Sequence, residues 1–217
     1  MNKKILIAPS ILAGDFVNME RSVRLLSEWG ADLVHCDVMD GVYVPNITFG
    51  MPMIRAIKKI TTLPLDVHLM ITKPERYVEE FADAGADIIT FHPEASKNPI
   101  ETISLIKAKG KKAGIVINAK VPIEPYLYLL DYIDMILIMS VNAGYGGQKF
   151  IPDSLDKVKI AKKYIDENKL NVDIQIDGGI TEDNVALAKE SGANVIVAGS
   201  AVYKANNPKK TIENLRK

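Results

Sequence analysis

Eight short apolar runs, rich in isoleucine and valine, recur along this chain at 5–8, 33–37, 65–69, 88–91, 113–117, 135–139, 172–176 and 195–198. A strand with one wet face alternates apolar and polar residues. A nearly continuous apolar run has no wet face, as expected of a parallel strand covered on both sides. The stretches between the runs carry helical periodicity instead. In 17–29, Val23, Leu26 and the region of Trp29 fall on one side, with Glu20, Arg21, Arg24 and Glu28 elsewhere. Gly30, Gly85, Gly110 and Gly192 each stand just past a helical stretch, where a left-handed cap is wanted. Thr72-Lys73-Pro74-Glu75 and Thr181-Glu182-Asp183-Asn184 read as helix starts. The phrases Gly30-Ala31-Asp32, Gly85-Ala86-Asp87 and Gly192-Ala193-Asn194 repeat one helix-to-strand turn. Eight strand–helix units in 217 residues predict an α/β fold, a single (β/α)8 TIM barrel over 1–217. A doubly wound open sheet is the alternative, because periodicity does not show closure. No Pro/Ser-rich linker divides the chain.

Lys and Arg number 27 and Asp and Glu 27, a formal net charge of +0. With no basic excess, neither nucleic acid nor an anionic membrane is an expected partner, and an anionic ligand must be drawn by local dipoles. The single cysteine, Cys36, excludes an internal disulfide and fits a reducing compartment. Residues 1–7 hold two lysines and a short apolar run, but Pro9, Ser10, Gly14 and Asp15 interrupt it too soon for a signal peptide. No stretch approaches the roughly 18 apolar residues of a membrane span. A soluble, cytoplasmic protein is expected.

In such a barrel, chemistry gathers where strands end. Those positions are Ser10, Asp37, His68, His92, Asn118, Ser140, Asp177 and Ser200, all polar. Strand alternation puts His35, Asp37 and Met39 on one face, and Asp66, His68 and Met70 on another. If both faces point inward, His35, Asp37, His68 and Asp177 converge on one cation. Two imidazoles and two carboxylates suit zinc, manganese, cobalt or ferrous iron without discriminating among them. His92 either supports this set or hydrogen-bonds within the rim. Cys36 faces away as core. By position alone Met39, Met70 and Met139 are core residues. Glycine-rich turns follow the last three strands: 142–148 after the sixth, Asp177-Gly178-Gly179 after the seventh, and Gly199-Ser200 after the eighth. Their backbone N–H groups can turn toward an anion, so a phosphate site is expected in the loops after strands 6–8.

Nearly end to end, the chain resembles the ribulose-phosphate 3-epimerase family. The motifs are Ala8-Pro9-Ser10-Ile11-Leu12-Ala13, His35-Cys36-Asp37-Val38-Met39-Asp40-Gly41, Val44-Pro45-Asn46, Asp66-Val67-His68-Leu69-Met70, Thr90-Phe91-His92-Pro93-Glu94, the stretch 139–150, Asp177-Gly178-Gly179-Ile180 and 198–203. Two departures lie in the phosphate loop: Ala143 where the family usually has proline, and Tyr145 where phenylalanine is common. Ala143 is expected to loosen that loop.

The resemblance implies an isomerase of the pentose phosphate pathway. It would invert C3 of D-ribulose 5-phosphate to give D-xylulose 5-phosphate by two-carboxylate proton transfer through an enediolate. It implies Asp37 and Asp177 as the proton-transferring pair. It implies one divalent metal ion per subunit, zinc foremost with iron, manganese or cobalt as alternatives, on His35, Asp37, His68 and Asp177. Substrate contacts would come from Ser10, His68, Met39, Met70 and Met139, and phosphate contacts from Gly144, Tyr145, Gly146, Gly147, Gly178, Gly179, Gly199 and Ser200. A homo-oligomer, dimer or hexamer, is implied as well, with Trp29, Val42, Tyr43 and Ile47 as interface candidates. The competing readings are an epimerase of a six-carbon ketose phosphate such as allulose 6-phosphate, a metal-dependent aldolase or decarboxylase, and an idle sugar-phosphate binder. The last two have no need of two acids on opposite faces.

Overall fold

Each of the eight apolar runs forms a strand in the computed structural model, which describes residues 3–217. They are β1 (Leu6–Ala8), β2 (Val34–Met39), β3 (Leu65–Met70), β4 (Ile88–Phe91), β5 (Lys112–Ile117), β6 (Met135–Met139), β7 (Asp173–Asp177) and β8 (Val195–Val197). All pairings are parallel and each strand pairs with its sequence neighbour, in the order β1-β8-β7-β6-β5-β4-β3-β2. The ring closes where Ser10 bridges His35 in parallel and the His35 N–H donates to Pro9 O at 3.1 Å. That closure excludes the open doubly wound sheet. Met1 and Asn2, which begin the segment weighed as a leader, lie outside the described residues.

The connections are α1 (Met19–Trp29), α2 (Met51–Lys58), α3 (Val78–Ala84), α4 (Pro99–Ala108), α5 (Ser154–Glu167), α6 (Val185–Ser191), α7 (Ser200–Tyr203) and α8 (Pro208–Arg216). Between β5 and β6 the chain forms a three-ten helix, Glu124–Tyr132, with Pro125 in its first turn. Two helices start later than their sequence signals. Phe16–Asn18 is a three-ten turn capped by Asp15 ahead of α1, and Pro74–Arg76 is another ahead of α3. None of the helices among the described residues is long and apolar enough to cross a membrane.

Outward strand residues such as Cys36, Val67, Ile89, Ile138 and Ile176 join the inner stripes of the helices in the main core. On α1 that stripe is Met19, Ser22, Val23 and Leu26. Trp29, expected at an interface, packs edge-on against Tyr203 with ring centroids 5.6 Å apart. Inside the barrel Ala8, Leu33, Ile88, Met135, Val195 and Val197 form an apolar cluster that reaches the cavity wall at Val197.

The repeated Gly-Ala-Asp phrase has a mechanical role. Gly30, Gly85 and Gly192 end α1, α3 and α6 at φ of 84°, 116° and 118°, conformations that glycine adopts without strain. The residue two places on then reaches the preceding strand. Asp32 accepts from Ile7 N–H at 2.9 Å, Asp87 from Leu65 N–H at 2.8 Å, and Asn194 from Ile174 N–H at 2.8 Å. Asp134 makes the fourth such clip, to Ala113 N–H at 2.9 Å. Its phrase lacks Gly-Ala because the element before it is three-ten and ends without a left-handed glycine. The clips join β1 to β2, β3 to β4, β5 to β6 and β7 to β8. Arg216 at the end of α8 donates to Gly30 O and to Asp32, both at 2.7 Å, and ties the last helix to the first clip.

Asp87→Ala strands the Leu65 N–H and is expected to cost about 1–2 kcal/mol in urea unfolding. Asp87→Asn keeps an acceptor and should lose less than half of that. Equal losses in the two variants would show that the clip contributes nothing beyond charge.

Candidate active site

Register brings the site together. Parallel pairing sets His35 beside Asp66, Asp37 beside His68 and Met39 beside Met70, while Met139 lies beside Asp177 on the other side of the barrel. The Asp37 Oδ1 lies 3.3 Å from His35 Nε2 and 3.3 Å from His68 Nδ1, and Asp177 Oδ2 is 3.9 Å from His35 Nε2. The four candidate ligand atoms of His35, Asp37, His68 and Asp177 lie within 4.8 Å of one another.

The fit to a cation is tested by the nitrogens. His35 Nδ1 donates to Asp66 Oδ2 at 2.7 Å, which leaves Nε2 as the lone-pair atom. His68 Nε2 is engaged by His92 Nε2 at 3.0 Å. The two remaining nitrogens, His35 Nε2 and His68 Nδ1, are buried, have no hydrogen-bond partner and face the carboxylate oxygens. An unpartnered buried nitrogen is costly. Two aimed at one point beside two carboxylates make a donor set that suits a divalent cation.

The two carboxyl groups differ electrostatically. Burial opposes ionisation of Asp37, but with no cation bound the positive charge of His35, and then of His68, outweighs it and holds its carboxyl well below the usual range. Ser10 Oγ adds a hydrogen bond to Asp37 Oδ2 at 2.5 Å. Asp177 goes the other way. Burial first and the Asp37 charge second push its carboxyl up to about 6. Below about pH 6 one acid is a carboxylate while its partner holds a proton.

Above the cluster opens a cavity of about 830 Å³. Ser10, Asp37, Met39, Met70, Met139 and Asp177 line its depth, and Gly144, Tyr145, Gly146, Gly147, Gly178, Gly179, Gly199 and Ser200 line the rest of its wall. His35 and His68 are fully buried and are not part of that wall. Gly178 and Gly179 have φ of 124° and 65°, and a Cβ on either would come within 2.5 Å of Val141 or Phe150. Only glycine fits there.

The strap 142–148 is tied across the mouth to the loop after β2. The Tyr145 hydroxyl donates to Pro45 O at 2.9 Å, and Asn46 Nδ2 donates to Gly144 O at 3.0 Å. Ala143 packs against Met39, Val44 and Met70 on one side and Met139 on the other. The hydroxyl of Tyr145 is therefore a tether that phenylalanine could not make, set beside the residue expected to loosen the loop.

Of the other strand-end residues, Ser140 donates to the backbone oxygens of Asp177 and Gly178 and holds β6 to β7. Asn118 accepts from Ala119 N–H. His92 stands behind His68, and Cys36 is buried in the outer core. Sequence reasoning passed over Gln175, which donates to Asp66 Oδ2 at 2.6 Å, and Thr48, whose hydroxyl donates to Asp37 O at 2.6 Å. Gln175 shares the alternation of Asp177, a signal that was present; Thr48 lies in a loop and left none. Lys204, on the cavity wall, was also missed.

The family model for the ribulose-phosphate 3 epimerase family matches residues 6–203. A ribulose-phosphate 3-epimerase of Synechocystis sp. is 48% identical over 218 residues, covering 100% of this chain and 95% of its own. One from Bacillus subtilis is 46% identical over 213 residues, 98% of each chain. Among solved structures, a mutant tryptophan synthase alpha-subunit from Pyrococcus furiosus superposes with a TM-score of 0.71 over 99% of both chains at 17% identity, a likeness of fold.

Asp177 carries a folded pKa of about 6 against an ordinary value of 3.8. The folded chain holds that proton more tightly, so the stability it contributes is present below pH 4 and is lost as pH rises through 6. Metal-free Asp177→Asn is therefore expected to be more stable than metal-free wild type near pH 8, by on the order of 2–3 kcal/mol. The advantage should shrink toward pH 4 in thermal unfolding. A variant no more stable than wild type near pH 8 would contradict this.

Proposed function

The chain belongs to the ribulose-phosphate 3-epimerase family, and on that premise we propose how its residues carry the reaction. The enzyme is an isomerase that interconverts D-ribulose 5-phosphate and D-xylulose 5-phosphate at C3. The six-carbon ketose phosphate is the less favoured substrate, given named relatives along the whole chain.

One observation supports the roles above all others. Asp37 and Asp177 reach one cavity from β2 and β7, and their surroundings drive their pKa values apart. Inverting C3 takes a proton from one face and returns one to the other. A single base would return it to the side it left. Asp37, held ionised, removes the proton in one direction while Asp177, protonated, delivers one to the opposite face; the reverse reaction exchanges their roles. The pair titrates as a unit.

His35 Nε2, His68 Nδ1 and one oxygen of each carboxylate would hold a divalent cation, zinc in our reading, with iron, manganese or cobalt accepted by the same donors. When bound, it supplies Lewis-acid stabilisation of the charge that builds on the C2 oxygen of the enediolate. Ser10, oriented by Asp37, binds the substrate. Met39, Met70 and Met139 flank the reacting carbons and keep water out without competing for protons. His68, a ligand in this set, also contacts the substrate in our reading.

Backbone N–H groups of Gly144, Tyr145, Gly146, Gly147, Gly178, Gly179, Gly199 and Ser200 hold the phosphate, with Lys204 as a further cation on the same wall. The whole chain serves as one catalytic barrel. Exposed Val17, Val42 and Ile47 support a homo-oligomer, dimer or hexamer, and the unpaired Cys36 supports a cytoplasmic setting.

Proton NMR of ribulose 5-phosphate in deuterated water tests this reading. Chelator-treated enzyme should regain turnover with added zinc and place deuterium at C3 of xylulose 5-phosphate. Asp37→Asn and Asp177→Asn should each lose about 10³-fold or more in kcat. Near-normal turnover by either folded variant would sink the two-acid scheme.

A further inference from the structure

A second line of polar groups starts behind His68 and runs away from the cavity. His68 Nε2 meets His92 Nε2 at 3.0 Å, and His92 Nδ1 faces Glu94 Oε1 at 3.6 Å. The Tyr43 hydroxyl donates to the same Glu94 oxygen at 2.8 Å, and the Tyr43 ring lies over His92 with centroids 4.6 Å apart. Both imidazoles are fully buried, whereas the Glu94 side chain is 26% exposed, so the line runs from the ligand cluster to water.

The direction of the protons follows from the charges. Two ring nitrogens 3.0 Å apart share one proton, so one donates and the other accepts. If His92 donated from Nε2, its Nδ1 lone pair would face the Glu94 carboxylate; Asp37, 3.3 Å from His68 Nδ1, pulls the line the opposite way, and a cation on the cluster removes that pull. With the proton on His92 Nδ1, the N–H lies 3.6 Å from Glu94, an electrostatic contact rather than a hydrogen bond, and Nε2 accepts from His68. His68 then carries its proton on Nε2 and presents a lone pair at Nδ1, the unpartnered atom aimed at Asp37. Burial pushes the Glu94 carboxyl up, but His92 and the Tyr43 hydroxyl outweigh it and hold the group below the usual range, so the anion that orients the line persists.

We infer that Glu94 is a positioning residue that, through His92, selects the His68 tautomer presenting Nδ1 to a divalent cation. The inference rests on the reading that His68 is a metal ligand. It also gives both ligand imidazoles a carboxylate behind them. For His35 that is Asp66 in direct contact; for His68 it is Glu94 at one imidazole's remove. Outer partners of this kind set ring orientation and ligand basicity, and losing one typically costs about 10–100-fold in metal affinity.

Long-range ¹⁵N NMR of the full chain reads the tautomers directly. Metal-free wild type should show both rings exchanging between the two arrangements, and adding zinc should fix His92 protonated at Nδ1 and His68 at Nε2 while shifting His68 Nδ1. Glu94→Gln, at a partly exposed position, should move the metal-free balance toward His68 protonated at Nδ1 and His92 protonated at Nε2. In chelator competition it should weaken zinc binding by about 10-fold, and Glu94→Asp should recover part of the loss. Tyr43→Phe, which releases the carboxylate without touching either ring, should move both readouts the same way by less. Unchanged tautomers and zinc affinity in Glu94→Gln, with the zinc shift at His68 Nδ1 intact, would overturn the relay and leave the metal reading standing. No zinc-induced shift at His68 in wild type would overturn both.

Discussion

Four acceptors at the lower end of the barrel, Asp32, Asp87, Asp134 and Asn194, clip its strands in pairs through backbone N–H groups. The rest of the structure depends on the register they help to hold. A slip of one residue in a strand turns every side chain to the other face. On β2 that would send Cys36 and Val38 inward and put His35 and Asp37 among the helices. With the register held, Asp37 lies beside His68 and His35 beside Asp66, and the cluster is assembled from neighbours.

The barrel interior is of two kinds. One cluster is aliphatic, as a packed core demands, but the same interior holds a band of His35, Asp66, His68 and Gln175, all fully buried. Such a band is tolerable only when its polar atoms are paired, and here they are paired on one side alone. Asp66 is held by His35 and Gln175, and His68 by His92, while His35 Nε2 and His68 Nδ1 remain free. Asp66 Oδ1 and Gln175 Oε1 are also unpartnered, and the two free nitrogens are the ones that face the carboxylates of the site. The raised pKa of Asp177 belongs to the same bargain, since a second carboxyl beside Asp37 disfavours its own ionisation.

The mouth is built on another plan. Its walls come from loops far apart in sequence, joined by a few hydrogen bonds such as Tyr145 to Pro45 and Asn46 to Gly144. Glycines whose Cβ would strike backbone or buried valine shape the anion end. The deep part of the site is thus set by strand register, and the outer part by loop-to-loop contacts and close backbone approach.

Much of this was legible in the residues themselves. The apolar runs located all eight strands because a doubly covered strand must be apolar throughout, and alternation within them told inward from outward faces. Alternation put His35 and Asp37 on one face and His68 on the matching face of its strand, and their convergence with Asp177 was expected on condition that those faces pointed into a barrel. Two things were beyond it. Closure needed the Ser10–His35 bridge, a contact between segments that periodicity treats as independent. The supporting contacts needed it too: Gln175 reaches Asp66 across the barrel and Glu94 faces His68 only through His92. Sequence spacing determines which face of a strand or helix a side chain occupies, because that is local backbone geometry. Which atoms then meet, and which nitrogen of a histidine is left free, is decided only when distant strands are brought into register around one axis.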